Sequence, residues 1–264
     1  MIFKVYKQLN PDCFVLQESF LNHQFLRIVN YARSNGASYN ALLSIPEFRA
    51  HHVPQIYSFP MFTKDICEML MEEFAYYNQT DLPKGRPNSM NNYGVLLDEL
   101  GFDDRFLDPL FEDYLKPLSR ILFPEEGGST LDSYKAFTVK YDMQNDQSLG
   151  YHFDNAEVTL NLCIGKNFID GELYFGDMKE VAIAQSECTL MDHKQGYAVL
   201  HRGQQMHGAL PIQSGERQNI IIWMRSSHER NRKCPMCSRK PDLIAVAGKG
   251  DGFTSPEVSI CTTS

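Results

Sequence analysis

The stretch SYKAFTVKYDMQNDQSLGYHFDNAEVTLNLCIG, residues 133–165, contains two strand-like runs separated by a turn-rich segment. The first run, SYKAFTVKYD, and the last, AEVTLNLCIG, are short and rich in β-branched, aromatic and other apolar residues, which pack well in sheets. The segment MQNDQSLG between them is a cluster of turn-forming residues. The stretch therefore predicts a β-domain from about Ser133 onward.

The strand pattern continues toward the C-terminus in the runs GELYFG, YAVLH and RQNIIIWMRS. Upstream of residue 133, apolar residues recur at helical spacing in LNHQFLRIVNYARSNG, in FTKDICEMLMEEFAYYNQT and in FLDPLFEDYLKPLSRILF, whose prolines interrupt or bend the helix. Thr63 is a candidate N-cap of the second of these helices. Helices followed by strands predict an α+β fold, with helices packed on one face of a two-sheeted sandwich or jelly roll.

The bulk composition is that of an ordinary globular protein, with 43% hydrophobic and 22% charged residues among 264. The formal net charge of −8 argues against a general phosphate-binding surface, because Lys and Arg supply most nucleic-acid affinity. Seven cysteines with one close pair, Cys234 and Cys237, do not form a disulfide framework. No signal peptide or membrane span is seen, so we expect an intracellular protein of the cytoplasm or nucleus without a membrane partner.

Two potential metal ligands, His152 and Asp154, lie two residues apart at the start of the second strand-like run. Alternate residues of a strand share a face, so the two side chains are predicted to point the same way. This pair alone is weak evidence for a site. A further histidine, His207, precedes the turn PIQSGE, and Arg217 follows ten residues after it. We expect this turn to place the strands of His207 and Arg217 side by side and antiparallel.

Two histidines and one carboxylate on one face of a metal, with other positions open, are the ligand set of non-haem Fe(II) oxygenases. A structural zinc site instead uses four protein ligands. An arginine beside three ligands suits a cosubstrate with a carboxylate, because guanidinium and carboxylate pair bidentately. The set of His152, Asp154, His207 and Arg217 therefore predicts an iron site with a neighbouring carboxylate pocket.

These residues and their surroundings resemble the Fe(II)- and 2-oxoglutarate-dependent dioxygenases, above all the prolyl- and procollagen-lysyl-hydroxylase branch. The motif HFD, the distal His207, the run GALPIQSGER and the apolar strand NIIIWM carry the resemblance, which extends over residues 55–226. DGELYF is similar to the glycine-containing strand of that branch. The runs RPNSMNNYGVLLDELGF and RKCPMC are similar to one group, called 2-oxoglutarate- and iron-dependent oxygenase domain-containing protein, second member.

The resemblance implies a double-stranded β-helix, or jelly-roll, core with helices on one face and an N-terminal helical extension. It implies that His152, Asp154 and His207 bind Fe(II). O2 and 2-oxoglutarate would be the cosubstrates, with ascorbate as a further cofactor. The implied reaction converts 2-oxoglutarate to succinate and hydroxylates an unactivated C–H bond on a protein or peptide substrate, at a side chain of the Pro or Lys type.

Three residues are implied for the binding of 2-oxoglutarate. Arg217 would hold its distal carboxylate, and Tyr141 and Asn161 match the positions that face this carboxylate from the strands before and after HFD. His201 is a rival third metal ligand, but it lies six residues too early, so we interpret it as a packed or hydrogen-bonded histidine. We interpret His51, His52 and His193 as surface residues or as residues that support the site.

The chain is expected to comprise an N-terminal extension (residues 1–54), the dioxygenase domain (55–228) and a tail that contains CPMC (229–264). Ordinary thiols are the default interpretation of CPMC. A zinc site is the alternative, and it would need partners such as His228 and Cys261. The turn-rich RPNSMNNYG is either a loop of Asx turns or a lid over the active site, with four side chains that could contact a substrate: Arg86, Asn88, Asn91 and Tyr93.

Three other functions compete with a protein hydroxylase. Nucleic-acid demethylation of the AlkB type would need the strand pattern R-x-N-x-x-x-R, and this chain has Arg217 and Asn219 but Trp223 in place of the second arginine. A non-enzymatic jelly-roll binding module would not need the complete set of three ligands and the arginine. A small-molecule oxygenase is not separated from a protein hydroxylase by the sequence, and the oligomeric state is not indicated.

Overall fold

The computed structural model of the protein describes residues 2–165 and 168–241. Its α-helices are α1 His23–Arg33, α2 Tyr39–Leu43, α3 Lys64–Gln79, α4 Leu97–Leu100, α5 Lys116–Leu122 and α6 Ser227–Arg230. Two π-helical segments, Asp103–Leu107 and Leu110–Leu115, precede α5, and short 3-10 turns occupy Ile2–Lys4, Pro11–Phe14, Glu18–Phe20 and Ile183–Gln185. No helix in the described ranges is long and apolar enough to span a membrane.

The strands begin before the predicted β-domain and become dense within it. They are β1 Arg49–Ala50, β2 Ile56–Pro60, β3 Ser133–Asp142, β4 Leu149–His152, β5 Val158–Cys163, β6 Ile169–Asp170, β7 Leu173–Met178, β8 Thr189–Met191, β9 Tyr197–Arg202, β10 Gln205–Ala209, β11 Ile212–Ser214 and β12 Glu216–Arg225. The five runs read as strands from the sequence correspond to β3, β5, β7, β9 and β12.

These strands form two larger sheets and one small one. The six-stranded sheet has the order β1-β2-β9-β5-β12-β3, the four-stranded sheet has the order β4-β10-β7-β8, and β11 pairs with β6. From β3 onward the chain passes back and forth between the two larger sheets, and the paired strands are antiparallel. This interleaving is the topology of a double-stranded β-helix, so the predicted fold class is confirmed.

One prediction about this topology was wrong. The strands of His207 and Arg217 were expected to lie side by side, but β10 pairs with β4 and β7 whereas β12 pairs with β3 and β5. The two residues therefore lie on opposite sheets. The physical reason is that the connection between them is not a simple hairpin turn: its β11 pairs with β6 and carries the chain from one sheet to the other.

The position of the HFD motif also differs from the prediction. His152 is the last residue of β4, and Asp154 lies in the connection before β5 rather than on a strand. The side chains of the two residues still converge, because the connection is held by the Asp154 N–H, which donates to the Gly203 carbonyl over 2.8 Å. Strand alternation was therefore the wrong reason for a correct expectation.

The outer face of the six-stranded sheet is covered by helices. In β12, Ile220, Ile222 and Met224 belong to the large core that also contains the buried residues of α1, α3 and α5. The alternate residues Ile221 and Trp223 face the interior between the sheets with residues of β3. Since both faces of β12 are buried, the strand reads as a nearly continuous apolar run.

The helices follow the sequence closely. α3 buries its predicted stripe, in which Ile66, Leu70 and Phe74 are almost fully inaccessible, although Thr63 makes no side-chain capping bond. The predicted third helix is interrupted, with Pro109 between the two π-helical segments and Pro117 in the first turn of α5. The division at residues 54 and 228 stays a prediction, and the part of the tail beyond residue 241, with Cys261, lies outside the described residues.

Candidate metal centre

The side chains of His152, Asp154 and His207 converge at one end of the interior between the sheets. Their nitrogen and oxygen ligand atoms all lie within 4.8 Å of one another. Each histidine Nε2 is 3.6 Å from a different oxygen of Asp154. His152 and His207 are direct partners across β4 and β10, which brings their rings to 4.3 Å between centroids. Three donors at these separations can bind one metal ion.

Hydrogen bonds orient the three side chains. Nδ1 of His152 is 2.7 Å from the Gly150 carbonyl, and Nδ1 of His207 is 2.9 Å from the Gln205 carbonyl. Each Nδ1–H can therefore donate to backbone, which leaves Nε2 unprotonated for a metal. The Thr159 hydroxyl donates to Oδ2 of Asp154 over 2.8 Å. Thr159 was not predicted, although it shares a strand face with Asn161, two residues further along β5.

Electrostatics keep the carboxylate of this group ionised. Burial by itself would raise the pKa of Asp154, but the neighbouring His207 and His152 hold it well below its usual range. Burial, reinforced by the charge of His152, lowers the pKa of His207 to about 3. Burial would also lower the pKa of His152, but hydrogen bonding to Asp154 and the charge of that carboxylate raise it overall. His152 is therefore the imidazole that most readily carries a proton.

The rival histidine, His201, lies beside this group but is not part of it. Its ring packs 4.7 Å from the ring of His207 between centroids, and its Nδ1 is 2.8 Å from the Arg202 carbonyl. It is fully buried on β9. Within the described residues, the group of His, Cys, Asp and Glu side chains close enough to share a metal is His152, Asp154 and His207.

Arg217, at the start of β12, is buried in the same interior. Its Nη1 donates to the Gly171 carbonyl, and its guanidinium carbon lies 4.5 Å from the centroid of the Tyr141 ring. Its Nε and Nη2 are buried and have no hydrogen-bond acceptor among the described residues. Gly171 has a φ of +79°, and a Cβ at this position would lie 2.5 Å from Ile212. Any other residue at position 171 would be strained by this φ and would crowd the side chain of Ile212.

Tyr141 and Asn161 lie in the same cavity as Arg217. Tyr141 is the direct cross-strand partner of Arg217, and burial raises the pKa of its hydroxyl. The Asn161 Oδ1 accepts from Nδ2 of Asn219 over 2.7 Å. His193 is buried rather than on the surface. Its Nδ1 lies 3.4 Å from Nδ2 of Asn219, and burial together with the charge of Arg217 lowers its pKa to about 3.

One cavity is lined by the histidine pair and by Arg217. Strands β3, β5 and β12 contribute several of its lining side chains, including Phe137, Ile221 and Trp223. The Trp223 Nε1 is buried without a partner among the described residues. Asn88 and Met90, from the turn-rich loop before α4, complete the lining.

That loop, residues 86–94, borders the cavity and contributes to its lining. Asn91 is buried, and its Nδ2 donates to the Tyr141 hydroxyl over 3.3 Å. The exposed Asn92 anchors the loop through its backbone N–H and side chain to Asp146, at 2.8 and 2.9 Å. Of the four side chains proposed for a lid, Asn88 and Asn91 line the cavity, whereas Arg86 and Tyr93 are exposed.

The CPMC segment is separate from this centre. Cys234 is buried and Cys237 is half-buried. The segment forms a tight turn in which the Ser238 N–H donates to the Cys234 carbonyl over 2.9 Å. In the described part of the chain, neither cysteine belongs to a group of three or more potential metal ligands. A zinc site that includes Cys261 stays an untested alternative.

The donor set fits a divalent metal with open coordination positions. Three side chains supply ligand atoms of the types that Fe(II) accepts. Hydrogen bonds at the Nδ1 atoms of the two histidines and at Oδ2 of Asp154 orient these side chains. Nε and Nη2 of Arg217, which have no acceptor among the described residues, fit a carboxylate bound in the same cavity. A small acid with a metal-chelating group at one end and a carboxylate at the other matches both requirements.

Comparisons with known proteins agree with this chemistry. Residues 2–128 match the family model of the OGFOD2-like domain. The 2-oxoglutarate and iron-dependent oxygenase domain-containing protein 2 of Xenopus tropicalis is 50% identical over 97% of this chain and 75% of its own length. The procollagen lysyl hydroxylase and glycosyltransferase of Acanthamoeba polyphaga mimivirus is 31% identical over 64% of this chain and 19% of that protein.

The crystal structure of a Pseudomonas putida prolyl-4-hydroxylase superposes with a TM-score of 0.45 and 15% identity, over 75% of this chain and 98% of that one. The sequence similarity to the Xenopus tropicalis protein is much higher, and it extends over nearly the whole chain and three quarters of the relative. The chain therefore belongs to the family of 2-oxoglutarate and iron-dependent oxygenases, in the group named 2-oxoglutarate and iron-dependent oxygenase domain-containing protein 2.

Proposed function

We propose that this protein hydroxylates an unactivated C–H bond on a protein side chain of the Pro or Lys type, with conversion of 2-oxoglutarate to succinate. The observation that carries the proposal is one cavity lined both by a group of three potential metal ligands and by a buried arginine whose Nε and Nη2 have no acceptor among the described residues. This pairing is what a chelating keto acid requires.

In this proposal His152, Asp154 and His207 hold Fe(II), each through one ligand atom. Bound iron together with 2-oxoglutarate would supply the activation of O2 and the oxidative decarboxylation. Arg217 would pair with the distal carboxylate through its free nitrogens, and Tyr141 and Asn161 would face the same carboxylate. Ascorbate as a further cofactor also belongs to the proposal.

The remaining residues of the cavity would orient the cosubstrate and exclude water. Phe137, Ile221 and Trp223 line the cavity with apolar surface, and the loop of residues 86–94 would act as a lid over the opening. A dry, pre-organised pocket strengthens the interaction of a buried guanidinium with a carboxylate. The arrangement therefore supports tight cosubstrate binding before any substrate arrives.

The choice of a protein substrate is supported by a relative. The mimivirus protein that is similar over 64% of this chain is named for lysyl hydroxylation of procollagen. The alternative of AlkB-type demethylation is not favoured, because the position of its second arginine is occupied by Trp223, whose indole is buried in the cavity wall. A non-enzymatic module and a small-molecule oxygenase remain alternatives, and the experiments below separate the first of these from an enzyme.

The decisive experiment measures 2-oxoglutarate turnover. Purified protein is incubated with Fe(II), O2 and 2-oxoglutarate, and succinate is quantified for the wild type and for His207→Ala. We expect succinate from the wild type and a loss of at least about 100-fold in the variant, because a lost ligand weakens the metal site. His23→Ala, at the exposed start of α1, is the control.

Anaerobic calorimetry complements the turnover assay. We expect the wild type to bind Mn(II), used as a redox-stable probe, and then 2-oxoglutarate. A wild type that binds neither would overturn the assignment of an active dioxygenase and favour a non-enzymatic module. Peptide libraries that contain Pro and Lys then test the substrate class by mass spectrometry for a gain of one oxygen atom.

A further inference from the structure

The loop that carries Asp154 forms hydrogen bonds on one side with the β9–β10 turn. The Asp154 N–H donates to the Gly203 carbonyl over 2.8 Å, and the Gly203 N–H donates to the Glu157 carbonyl over 2.9 Å. The Gln204 side chain adds a bond to the carbonyl of Asp154, with Nε2 at 3.0 Å. Since β10 carries His207, this turn connects two of the three potential ligands.

On its other side, the same loop forms hydrogen bonds with the C-terminal segment, residues 224–230. The Glu157 N–H donates to the Met224 carbonyl over 3.0 Å, and Nε of Arg225 donates to the Asn155 carbonyl over 3.0 Å. The Ser226 N–H donates to Oε2 of Glu157 over 2.6 Å. The loop is therefore enclosed between two segments that lie far apart in sequence.

Arg230, the last residue of α6, makes two bonds within this enclosure. Its Nε lies 2.9 Å from Oε2 of Glu157, and its Nη1 donates to Oδ1 of Asn155 over 2.8 Å. The guanidinium is fully buried and Glu157 nearly so. One side chain thus contacts both Asn155, which directly follows Asp154, and Glu157, which directly precedes β5.

The geometry of these contacts needs an explanation beyond packing. A buried ion pair contributes little net stability compared with apolar residues of the same volume, since both charges lose water. Its better attested effect is to fix one arrangement among several. Here the arrangement that it fixes is the backbone on either side of a potential metal ligand.

We propose that Arg230 is a positioning residue of the metal centre: through Asn155 and Glu157 it holds the Asp154 loop in the geometry that binds the metal. The inference rests on the proposed function, because it takes Asp154 as a ligand. It also assigns a role to the C-terminal segment between the jelly roll and CPMC, which carries no ligand of its own in the described residues.

The test is Mn(II) calorimetry at a temperature at which every variant is folded by circular dichroism. Arg230→Met should weaken Mn(II) binding by about 10- to 100-fold, the usual effect of removing a group that supports a ligand. Arg232→Met is the matched control, because this arginine lies two residues further along the chain and has an exposed side chain that pairs with Glu229 at 3.5 Å. It should bind Mn(II) within about twofold of the wild type.

Two further variants keep the test informative if Arg230→Met does not fold. Asn155→Ala removes only one of the two bonds, and Arg230→Lys retains the charge without reaching both partners. Each should weaken Mn(II) binding less than Arg230→Met does. Co(II) bound to each variant should also show a changed visible absorption spectrum, which reports the ligand geometry and does not respond to a mere loss of stability.

The outcomes separate the inference from the proposed function. Wild-type binding with equally tight binding by folded Arg230→Met, Arg230→Lys and Asn155→Ala would overturn the positioning role and leave the proposed function standing. Absence of Mn(II) binding by the wild type would overturn both. Weakened binding and a changed Co(II) spectrum in the three variants, with Arg232→Met unaffected, would support the inference.

Discussion

At the residue scale, the centre combines side chains that are held firmly with a few polar atoms that are left unpaired. Asp154 accepts from Thr159 and lies between two histidines, each of which has its own backbone partner. Arg217 donates from its Nη1 to the Gly171 carbonyl and packs against the Tyr141 ring, whereas its Nε and Nη2 have no acceptor among the described residues. Because buried polar groups are costly to leave unpaired, the free nitrogens indicate where a ligand is expected.

The first prediction concerns Arg217. Replacement by Met in Arg217→Met should weaken 2-oxoglutarate binding by at least about 30-fold, since truncating one partner of a buried charge pair costs about 2 kcal/mol or more. Binding of Mn(II) should change by less than about twofold. Calorimetry of both ligands measures the two effects. Equal losses for the metal and the keto acid would mean that Arg217 supports the fold and has no specific role in cosubstrate binding.

The second prediction concerns pH and His152. The pKa of His152 is raised above the ordinary value of about 6.5. A proton therefore begins to compete with the metal for this ring at a pH above 6.5, and it competes more strongly as the pH falls. Mn(II) affinity should therefore fall as the pH is lowered through the raised pKa, by roughly tenfold per pH unit for one displaced proton. Titrations between about pH 8 and pH 6 measure this slope. A flat affinity over that range would contradict the assignment.

At the element scale, the loop of residues 86–94 makes contacts on two sides, one toward the cavity and one toward the surface. Asn91 points inward to the Tyr141 hydroxyl, whereas the adjacent Asn92 reaches outward to Asp146. Of these two neighbouring asparagines, one therefore links the loop to the cavity and the other attaches it to the surface. This contrast offers a matched pair of substitutions.

The third prediction uses this pair. Asn91→Leu keeps the volume of the side chain but removes its hydrogen bond to Tyr141, and we expect 2-oxoglutarate affinity to fall about fivefold, corresponding to one net hydrogen bond of about 1 kcal/mol. Asn92→Leu should alter the affinity by less than about twofold. Calorimetry in the presence of saturating Mn(II) measures both. If the two variants behave alike, the loop acts only as a cover.

At the scale of the whole molecule, the N-terminal segments are fastened to the helical layer by one buried carboxylate. Glu73 on α3 accepts from the Tyr6 hydroxyl at 2.6 Å, from the Leu9 N–H at 3.2 Å and from the Asn10 N–H at 2.6 Å. Phe14 and Phe25 belong to the same large core as the residues of α3. We therefore expect the N-terminal residues and the jelly roll to unfold together.

The fourth prediction tests this coupling. Glu73→Gln should lower the free energy of unfolding by about 1–3 kcal/mol, because an amide cannot accept all three bonds and the loss of a charged acceptor leaves buried donors unsatisfied. Glu72→Gln, at the adjacent exposed position, should have an effect within about 0.5 kcal/mol. Chemical denaturation measures both. Two separate transitions in the wild type would instead indicate that the N-terminal residues form an independent unit.

Local pattern determined much of this protein. The period of apolar residues predicted α1, α3 and the strands β3, β5, β7, β9 and β12, because a helix or strand must bury one face or both. The residue types and their order predicted His152, Asp154, His207 and Arg217 as site residues, since the chemistry of a metal and a carboxylate admits few side chains. Cross-strand partners could not be predicted, and β10 was not distinguished as a strand.

Only the tertiary structure decided which sheet each strand joins. His207 and Arg217 were expected on neighbouring strands, but they lie on opposite sheets, because strand pairing depends on the packing of the whole domain and not on the turn between two runs. The supporting residues Thr159, Asn91 and Arg230 were equally invisible as such in the sequence. Their roles arise from contacts between segments that are distant along the chain, and no local spacing records such contacts.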